Sequence, residues 1–394
     1  MFVNTTSNSR FKLKGSYEMK KKLIRLTTID NSLNILLKGQ LKYLNKTFEV
    51  IGVANDSGVL SSVAKREGIR TIGVPMQRKI SIIHDLRSLW ALYRLFRKEH
   101  PFIVHANTPK ASFLGMVAAW FTRVPHRIYL VTGLRFETVH GPFRLLLKTM
   151  ERITCFCATK VIPEGDGVKE ALYREHITKK PLEKILNGNI NGIDVDYFSR
   201  SKDIINQASD IRNGSNAFTF IFIGRMVRDK GINELIGAFH KLSSEDPLIR
   251  LLLVGTFEDK LDPVLPETKR LIETSENIVF VGYQNDVRPY LAASDVLILP
   301  SYREGFPNVV LQAGAMGLPC IVTDINGSNE IIIPNRNGII IPKQNTEALY
   351  LAMKHYRQHP ELVKEMAQEA RPLIISRFLQ QDVWNAILNM YKAL

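Results

Sequence analysis

Cysteine is scarce in this chain, which has three cysteines among 394 residues. Three thiols cannot build a disulfide framework, so we expect the protein to work in a reducing cytosol. Cys155 and Cys157 form a Cys-x-Cys pair, but a zinc site of this type needs a second cluster of ligands. We therefore interpret the pair as packing residues that share one face of a strand.

Long hydrophobic runs are also absent. The longest apolar stretch spans residues 113–121, which is half of the ~20 residues that a transmembrane helix requires. Residues 1–17 are polar and lack the apolar core of a secretory signal peptide. The sequence therefore predicts a cytoplasmic protein without a membrane span, and residues 1–18 are interpreted as a disordered leader.

Acidic residues are in short supply in the first half only. Residues 1–186 contain 32 lysines and arginines against 14 acids, a net charge of +18, whereas residues 187–394 contain 21 against 24, a net charge of −3. Such asymmetry indicates an anionic partner for the first half, either nucleic acid, an acidic membrane surface or a phosphorylated lipid. A merely soluble basic surface is the alternative. No DNA- or RNA-binding motif is present, so we do not expect nucleic acid.

Apolar runs that suit buried strands alternate with segments of helical periodicity. The alternation runs from Lys22 to Thr132 and restarts at Phe218. This pattern predicts an α/β protein with two doubly wound parallel sheets. The boundary is predicted within residues 187–216, where Gly, Asn and Asp cluster. Ligands of such sheets bind at the carboxyl ends of the strands, so a cleft between two facing domains is the expected site.

The first candidate motif is the loop between a predicted strand ending at Ile223 and the next helix. It contains Arg225 and Lys230, two cations that suit a diphosphate. Gly224 and Gly231 let the backbone turn tightly or approach a ligand closely. A solvated basic loop is the alternative interpretation.

The second motif follows the strand that ends at Leu299. A helix is predicted to begin near Pro307, since proline suits a first helical turn. Free backbone N–H groups at residues 305–309, together with the helix dipole, form an anion site. Glu304 can accept hydrogen bonds from sugar hydroxyls, and Gln312 lies a little over two turns further on. The alternative is a capping glutamate and an ordinary helical glutamine.

Together the motifs resemble a known family, the retaining nucleotide-sugar glycosyltransferases of family 4. These have the GT-B fold, two facing Rossmann-like domains with an interdomain cleft. Residues 104–110 resemble the bacterial subgroup that builds capsular, exopolysaccharide or O-antigen repeats, and residues 187–188 and 191–198 resemble the family's interdomain segment. The sharpest matches are Gly224-Arg225, Lys230-Gly231, Val281-Gly282-Tyr283, Ser301, Glu304-Gly305-Phe306-Pro307-Asn308 and Gly317-Leu318-Pro319.

The resemblance implies domains at residues 19–190 (acceptor side) and 191–375 (donor side), with a helix at 376–394 that packs back on the first domain. Arg225 and Lys230 would hold the donor diphosphate, and Glu304 would contact the donor sugar. The other donor contacts implied are Gly224, Val281, Gly282, Tyr283, Gly305, Phe306, Pro307, Asn308, Val309 and Gln312.

The resemblance also implies the chemistry. A sugar, most readily from a UDP-sugar, would be transferred with retention, and the departing phosphate would help to deprotonate the acceptor. The acceptor would be lipid-linked or a saccharide, commonly a sugar on a polyprenyl diphosphate, and the enzyme would lie on the inner face of the bacterial cytoplasmic membrane. No metal and no other cofactor is expected.

The sequence departs from the family pattern in three places. Gln312 replaces a usual second glutamate, and Thr132 stands where many members have histidine. Candidates to replace that histidine are His105, His126 and His140. The first strand is followed by residues 27–32, which have no glycine-rich loop. A metal-binding Asp-x-Asp is suggested by Asp194-Val195-Asp196, but its linker position argues against a metal site.

Two segments interleave basic with apolar residues, 82–99 and 141–152. Such helices suit the headgroup layer of an anionic membrane, although their apolar sides could instead be core. Three functions compete with a transferase: a nucleotide-sugar 2-epimerase of the same fold, an anionic-membrane-binding protein and a nucleic-acid-binding protein. Arg225 and Lys230 together with residues 304–308 argue against the epimerase.

Overall fold

The computed structural model describes residues 20–77, 80–259 and 262–394. The predicted leader at residues 1–18 lies outside the described residues. The chain forms two six-stranded sheets in which every strand pair is parallel. The predicted α/β class with two doubly wound sheets is confirmed. We call each sheet with its helices a lobe.

The first sheet has the strand order β3-β2-β1-β4-β5-β6, which is the Rossmann order. Its strands are β1 (Lys22–Ile29), β2 (Glu49–Asn55), β3 (Arg70–Gly73), β4 (Ile103–Ala106), β5 (His126–Val131) and β6 (Lys160–Pro163). Its helices are α1 (Asp30–Leu36), α2 (Gln40–Leu44), α3 (Leu60–Glu67), α4 (Ile82–Glu99), α5 (Pro109–Phe121), α6 (Gly141–Cys157) and α7 (Asp166–Arg174).

The second sheet repeats this order as β12-β11-β10-β7-β8-β9. Its strands are β7 (Phe218–Ile223), β8 (Ile249–Val254), β9 (Ile278–Gly282), β10 (Val296–Leu299), β11 (Cys320–Thr323) and β12 (Gly338–Ile341). The remaining helices are α8 (Lys202–Arg212), α9 (Ile232–Glu245), α10 (Pro266–Thr274), α11 (Arg288–Ala292), α12 (Asn308–Ala315), α13 (Ser328–Ile331), α14 (Thr346–Gln358), α15 (Pro360–Phe378) and α16 (Gln380–Lys392). Among the described residues, no helix is both long and apolar enough to span a bilayer.

Two local predictions were wrong. Cys155 and Cys157 lie in the last turn of α6 rather than on a strand. Both thiols are buried, and burial raises the pKa of Cys155 to about 12. The predicted boundary at residues 187–216 is not all loop, because it contains α8, which is capped by the Ser201 hydroxyl.

Helix α16 belongs to the core of the first lobe, although it follows the second lobe in sequence. Val383, Ile387 and Tyr391 are buried in the cluster that also contains Leu23 of β1. The Tyr391 hydroxyl accepts a hydrogen bond from Arg25, a fully buried residue whose pKa is lowered by burial. The first sheet is therefore covered by residues from the far end of the sequence.

The chain crosses between the lobes at two adjacent segments. The Ile193 N–H donates to the Phe378 carbonyl at 2.9 Å, and the Gln380 N–H donates to the Ile193 carbonyl at 3.2 Å. Gly192 has φ +61°, and a Cβ there would lie 2.6 Å from the Gln380 Cα. The two segments that join the lobes are therefore fastened to each other at this crossing.

Candidate functional site

The carboxyl ends of the strands in the two sheets face each other across a cleft of about 260 Å³. The first lobe contributes loops that follow β4 and β5, and the second lobe contributes loops that follow β7 and β10. The lining residues are Pro109, Thr132, Gly133, Leu134, Arg135, Arg225, Asp229, Lys230, Arg303, Glu304 and Gly305. The structure thus brings Arg225, Lys230 and Glu304 together on one wall.

The cations of this wall are held by carboxylates. Lys230 forms an ion pair with Glu304, Arg225 Nη1 lies 2.6 Å from Glu258 Oε2, and Arg303 Nε lies 3.2 Å from Asp229 Oδ2. All three pairs are at least partly exposed, so their partners can be exchanged at small cost. An anion that entered the cleft could therefore replace the carboxylates.

The loop that carries Lys230 is fixed by a glycine. Gly231 has φ +70°, and a Cβ there would lie 2.1 Å from the Pro300 carbonyl oxygen. Because Pro300 directly follows β10, this contact presses the loop after β7 against the loop that carries Glu304. The two motifs that are far apart in sequence form one continuous surface for this reason.

Helix α12 begins at Asn308, with Pro307 as its N-cap. Phe306 is buried and packs on Phe378, with 5.5 Å between ring centroids, and Pro307 has no N–H to donate. The available backbone donors of the predicted anion site are therefore those of Gly305, Phe306, Asn308 and Val309. The Asn308 side chain accepts a hydrogen bond from Asn189 at 2.8 Å, so it is fixed at the lobe interface.

The other predicted contacts lie beside the cavity rather than in its lining. Gly224 follows β7, and Val281 and Gly282 end β9 with Tyr283 next in the chain, so all four lie at the carboxyl edge of the second sheet. The Tyr283 side chain is 65% exposed. Gln312 is half-buried on α12.

The lobes touch closely beside the cleft. A Cβ on Gly133 would lie 3.4 Å from the Gly305 Cα, and a Cβ on Gly305 would lie 1.9 Å from the Thr132 carbonyl oxygen. Further away, the Glu330 carboxylate accepts the N–H groups of Asp166 and Gly167 at 2.7 and 3.2 Å, at the start of α7. The two lobes are therefore closed on each other.

The histidine candidates do not supply an imidazole to the cleft. His105 is fully buried, shares a hydrogen bond with the Tyr391 hydroxyl, and has its pKa lowered by burial and by Arg25. His126 begins β5, at the opposite edge of the sheet from the cleft, and packs on Phe102. Neither can replace the family histidine. His140 is exposed at the start of α6 and is not among the lining residues.

The Asp194-Val195-Asp196 segment forms part of a turn, in which Asp194 Oδ1 accepts the Tyr197 N–H at 2.9 Å. Within residues 20–77, 80–259 and 262–394, no group of three or more His, Cys, Asp or Glu is arranged to hold a metal ion.

Sequence reasoning missed two residues at this site. Arg135 lines the cleft from the first lobe, and Glu164 lies behind Gly305 and is 7% exposed. Burial, with smaller contributions from the charges of Glu304 and Glu330, raises the pKa of Glu164 to about 8. Glu164 directly follows β6, and Arg135 lies in the loop after β5, so both lie beyond the carboxyl ends of strands, as Glu304 does.

Comparison with known proteins agrees with this geometry. A family described as "Glycosyl transferase 4-like domain" matches residues 47–188, and one described as "Glycosyl transferases group 1" matches residues 217–359. The Staphylococcus aureus protein named capsular polysaccharide biosynthesis glycosyltransferase CapM is 31% identical over 94% of this chain and 97% of CapM. The chain belongs to the group 1 glycosyl transferase family. The predicted enzyme class, a glycosyltransferase, is confirmed.

Two further proteins are similar to the transferase. An Escherichia coli protein named UDP-Gal:alpha-D-GlcNAc-diphosphoundecaprenol alpha-1,3-galactosyltransferase is 29% identical over 85% of this chain and 86% of that protein. The crystal structure of Anabaena Alr3699/HepE in complex with UDP matches with a TM-score of 0.79, at 18% identity, over 95% of this chain and 100% of that chain. This structural match supports the GT-B fold predicted for the transferase.

Proposed function

We propose that this glycosyltransferase moves a sugar from a UDP-sugar to a saccharide on a polyprenyl diphosphate, with retention, during synthesis of a bacterial surface polysaccharide. The observation that carries the proposal is the shared wall formed by Arg225, Lys230 and Glu304. The names of CapM and of the Escherichia coli relative support the pathway and the acceptor class. HepE, solved with UDP, supports the donor class.

The donor diphosphate would exchange places with the carboxylates that now pair with Arg225 and Lys230. Two fixed cations stabilise the charge that grows on the departing phosphate. Glu304, released from Lys230, becomes free to accept hydrogen bonds from the sugar hydroxyls. Backbone N–H groups at the start of α12 add donors without adding a mobile side chain.

Retention follows in this scheme from where the cations hold the leaving group. The departing phosphate stays on the face of the sugar that the acceptor approaches, and its oxygen takes the proton of the acceptor hydroxyl. Alignment and electrostatic preorganisation then lower the barrier. Closure of the lobes around the donor keeps water away from the reacting carbon.

The acceptor side is supported by Arg135, which faces the cleft from the first lobe. Among the described residues its guanidinium has no ion pair, and it lies 5.6 Å from the centroid of the Phe143 ring. Leu145 and Leu146, on the first turns of α6, are exposed beside Phe143. A cation at the cleft that adjoins an exposed apolar strip suits a diphosphate joined to a lipid chain.

A donor-hydrolysis screen tests the proposal. We expect one or more UDP-sugars to be hydrolysed slowly without acceptor, and Arg225→Ala and Glu304→Ala to lower that rate by about 100-fold. Lys241→Ala is the matched control, because it breaks an exposed ion pair with Glu347 on the second lobe. Wild-type rates in both site variants would show that the reaction does not use this wall.

We also propose that α4 and the start of α6 contact an anionic membrane. Leu92 and Phe96 of α4 face the core, but Ile82, Leu86 and Trp90 are exposed by 60% or more. These three side chains form a second apolar stripe of α4, which is separate from its core-facing side. The basic excess of the first half supplies the charge complementarity.

Liposome flotation tests this surface. The wild-type protein is expected to float with anionic vesicles and to remain unbound with zwitterionic ones, and Leu86→Glu/Trp90→Glu should reduce flotation several-fold. Leu248→Glu is the control, since Leu248 is equally exposed on the second lobe. Binding that ignores lipid charge, or that the double variant retains, would contradict membrane contact through α4.

A further inference from the structure

Glu164 is a buried carboxyl group trapped between the two lobes. It follows β6, and its backbone carbonyl accepts the Asn189 N–H at 3.2 Å. Its side chain accepts a hydrogen bond from the Ile190 N–H. Both contacts come from the first lobe and the segment leading to the crossing, so they hold Glu164 whatever the second lobe does.

The second lobe supplies the lid over this carboxyl. A Cβ on Gly305 would lie 3.0 Å from Glu164 Oε2, so the Glu304–Gly305 backbone rests directly against the carboxylate. Glu164 is not among the residues that line the cleft, and it therefore reaches the donor site only through this loop.

The charged groups around Glu164 disfavour the ionised form of its carboxyl group. The loop after β10 presents Glu304, which is paired with Lys230. Helix α13 presents Glu330, whose Oε2 lies 3.5 Å from Lys184 Nζ. Neither cation pairs with Glu164, so among the described residues an ionised Glu164 has one N–H donor, that of Ile190, and two neighbouring carboxylates.

We propose that Glu164 is a positioning residue that takes up a proton when the lobes close and thereby seats the Glu304–Gly305 loop at the donor site. This inference rests on the proposed nucleotide-sugar function. Without donor the lobes would be mostly open in solution, so water would reach the carboxyl and keep it ionised. On closure the carboxyl is desolvated, and as a neutral acid it tolerates contact with Gly305 and the nearby charges of Glu304 and Glu330.

The direction of the pH effect follows from linkage. The pKa of an exposed glutamate is ~4.3, whereas burial raises that of Glu164 to about 8 in the closed form. Protonation therefore favours closure. The contribution of Glu164 protonation to the free energy of closure is fully present below about pH 4.3 and is lost as the pH rises towards 8. Closure should weaken through this window and then become independent of the pH.

Calorimetric titration with UDP tests this at pH 7, in buffers of different ionisation enthalpy. We expect wild-type protein to take up close to one proton, ~0.9, for each UDP bound, and Glu164→Gln to take up none through this group. The wild-type Kd should also rise at least about tenfold from pH 6 to pH 8. Ionisation of UDP contributes equally to both proteins.

Glu151→Gln is the matched control. Burial raises the pKa of Glu151 to about 7, but it pairs with Tyr129 inside the first lobe, so its substitution should leave the UDP-linked proton uptake unchanged. Equal uptake in wild type and Glu164→Gln, or no uptake by wild type, would overturn the inference while UDP binding still supported the proposed function. Absence of UDP binding in every protein would overturn both.

Discussion

Lys230→Ala should lower kcat/KM for the donor by about 10²- to 10³-fold, the loss expected when a preorganised group that stabilises transition-state charge is removed. Lys230 and Glu304 form the ion pair on the cleft wall, and the lysine would pass from that carboxylate to the donor phosphates. Without the lysine, no ammonium group stabilises the negative charge that develops on the departing phosphate. The measurement is the initial rate of UDP release from a UDP-sugar that the wild-type enzyme hydrolyses.

Lys230→Arg is the informative control for this prediction. It keeps the positive charge but changes its shape and reach, so partial activity is expected. A loss below about fivefold in Lys230→Ala would mean that the ammonium group does not act on the leaving phosphate. Thermal unfolding should accompany both measurements, because Glu304 loses its partner in the alanine variant.

Gly305→Ala should abolish most transfer, with a loss of kcat of about 100-fold, because it obstructs closure of the lobes. The added Cβ would lie 1.9 Å from the Thr132 carbonyl oxygen, a backbone atom that cannot move aside alone. The lobes would have to stay apart, and Glu304 would not reach its place opposite the first lobe.

The thermal stability of Gly305→Ala is expected to remain close to wild type, since each lobe keeps its own core. Gly237→Ala, on α9 with its nearest contact 3.3 Å away at the Thr346 methyl group, is the control for a small-residue change away from the cleft. Small-angle scattering should show that UDP compacts the wild-type protein but not Gly305→Ala. Full activity in this variant would contradict the closed arrangement as the reactive one.

Much of the fold was predictable because helices and strands leave a hydrophobic pattern within short stretches of sequence. Helix α4 was predicted over the same residues that it occupies, since apolar side chains recur at helical spacing from Ile82 to Glu99. Helix α8 was missed because only Ile204 and Ala208 are buried along it, too few to show a period. Cys155 and Cys157 were wrongly predicted to lie on a strand because α6 continues almost to the start of β6.

The candidate site was predictable only in part. Arg225, Lys230 and Glu304 stand at the ends of buried strands, and strand ends can be recognised from sequence. The contact between Gly133 and Gly305 and the burial of Glu164 depend on how one lobe meets the other. No local pattern encodes that placement, so these features required the structure.

The position of α16 has a consequence for the order in which the protein is made. A ribosome synthesises the first sheet long before it reaches Val383, Ile387 and Tyr391, which cover that sheet. Until then Arg25 lacks one of its hydrogen-bond partners, Tyr391, and the apolar face around Leu23 stays uncovered. The second lobe can complete its own core first, so the half that is translated earliest is the half that matures last.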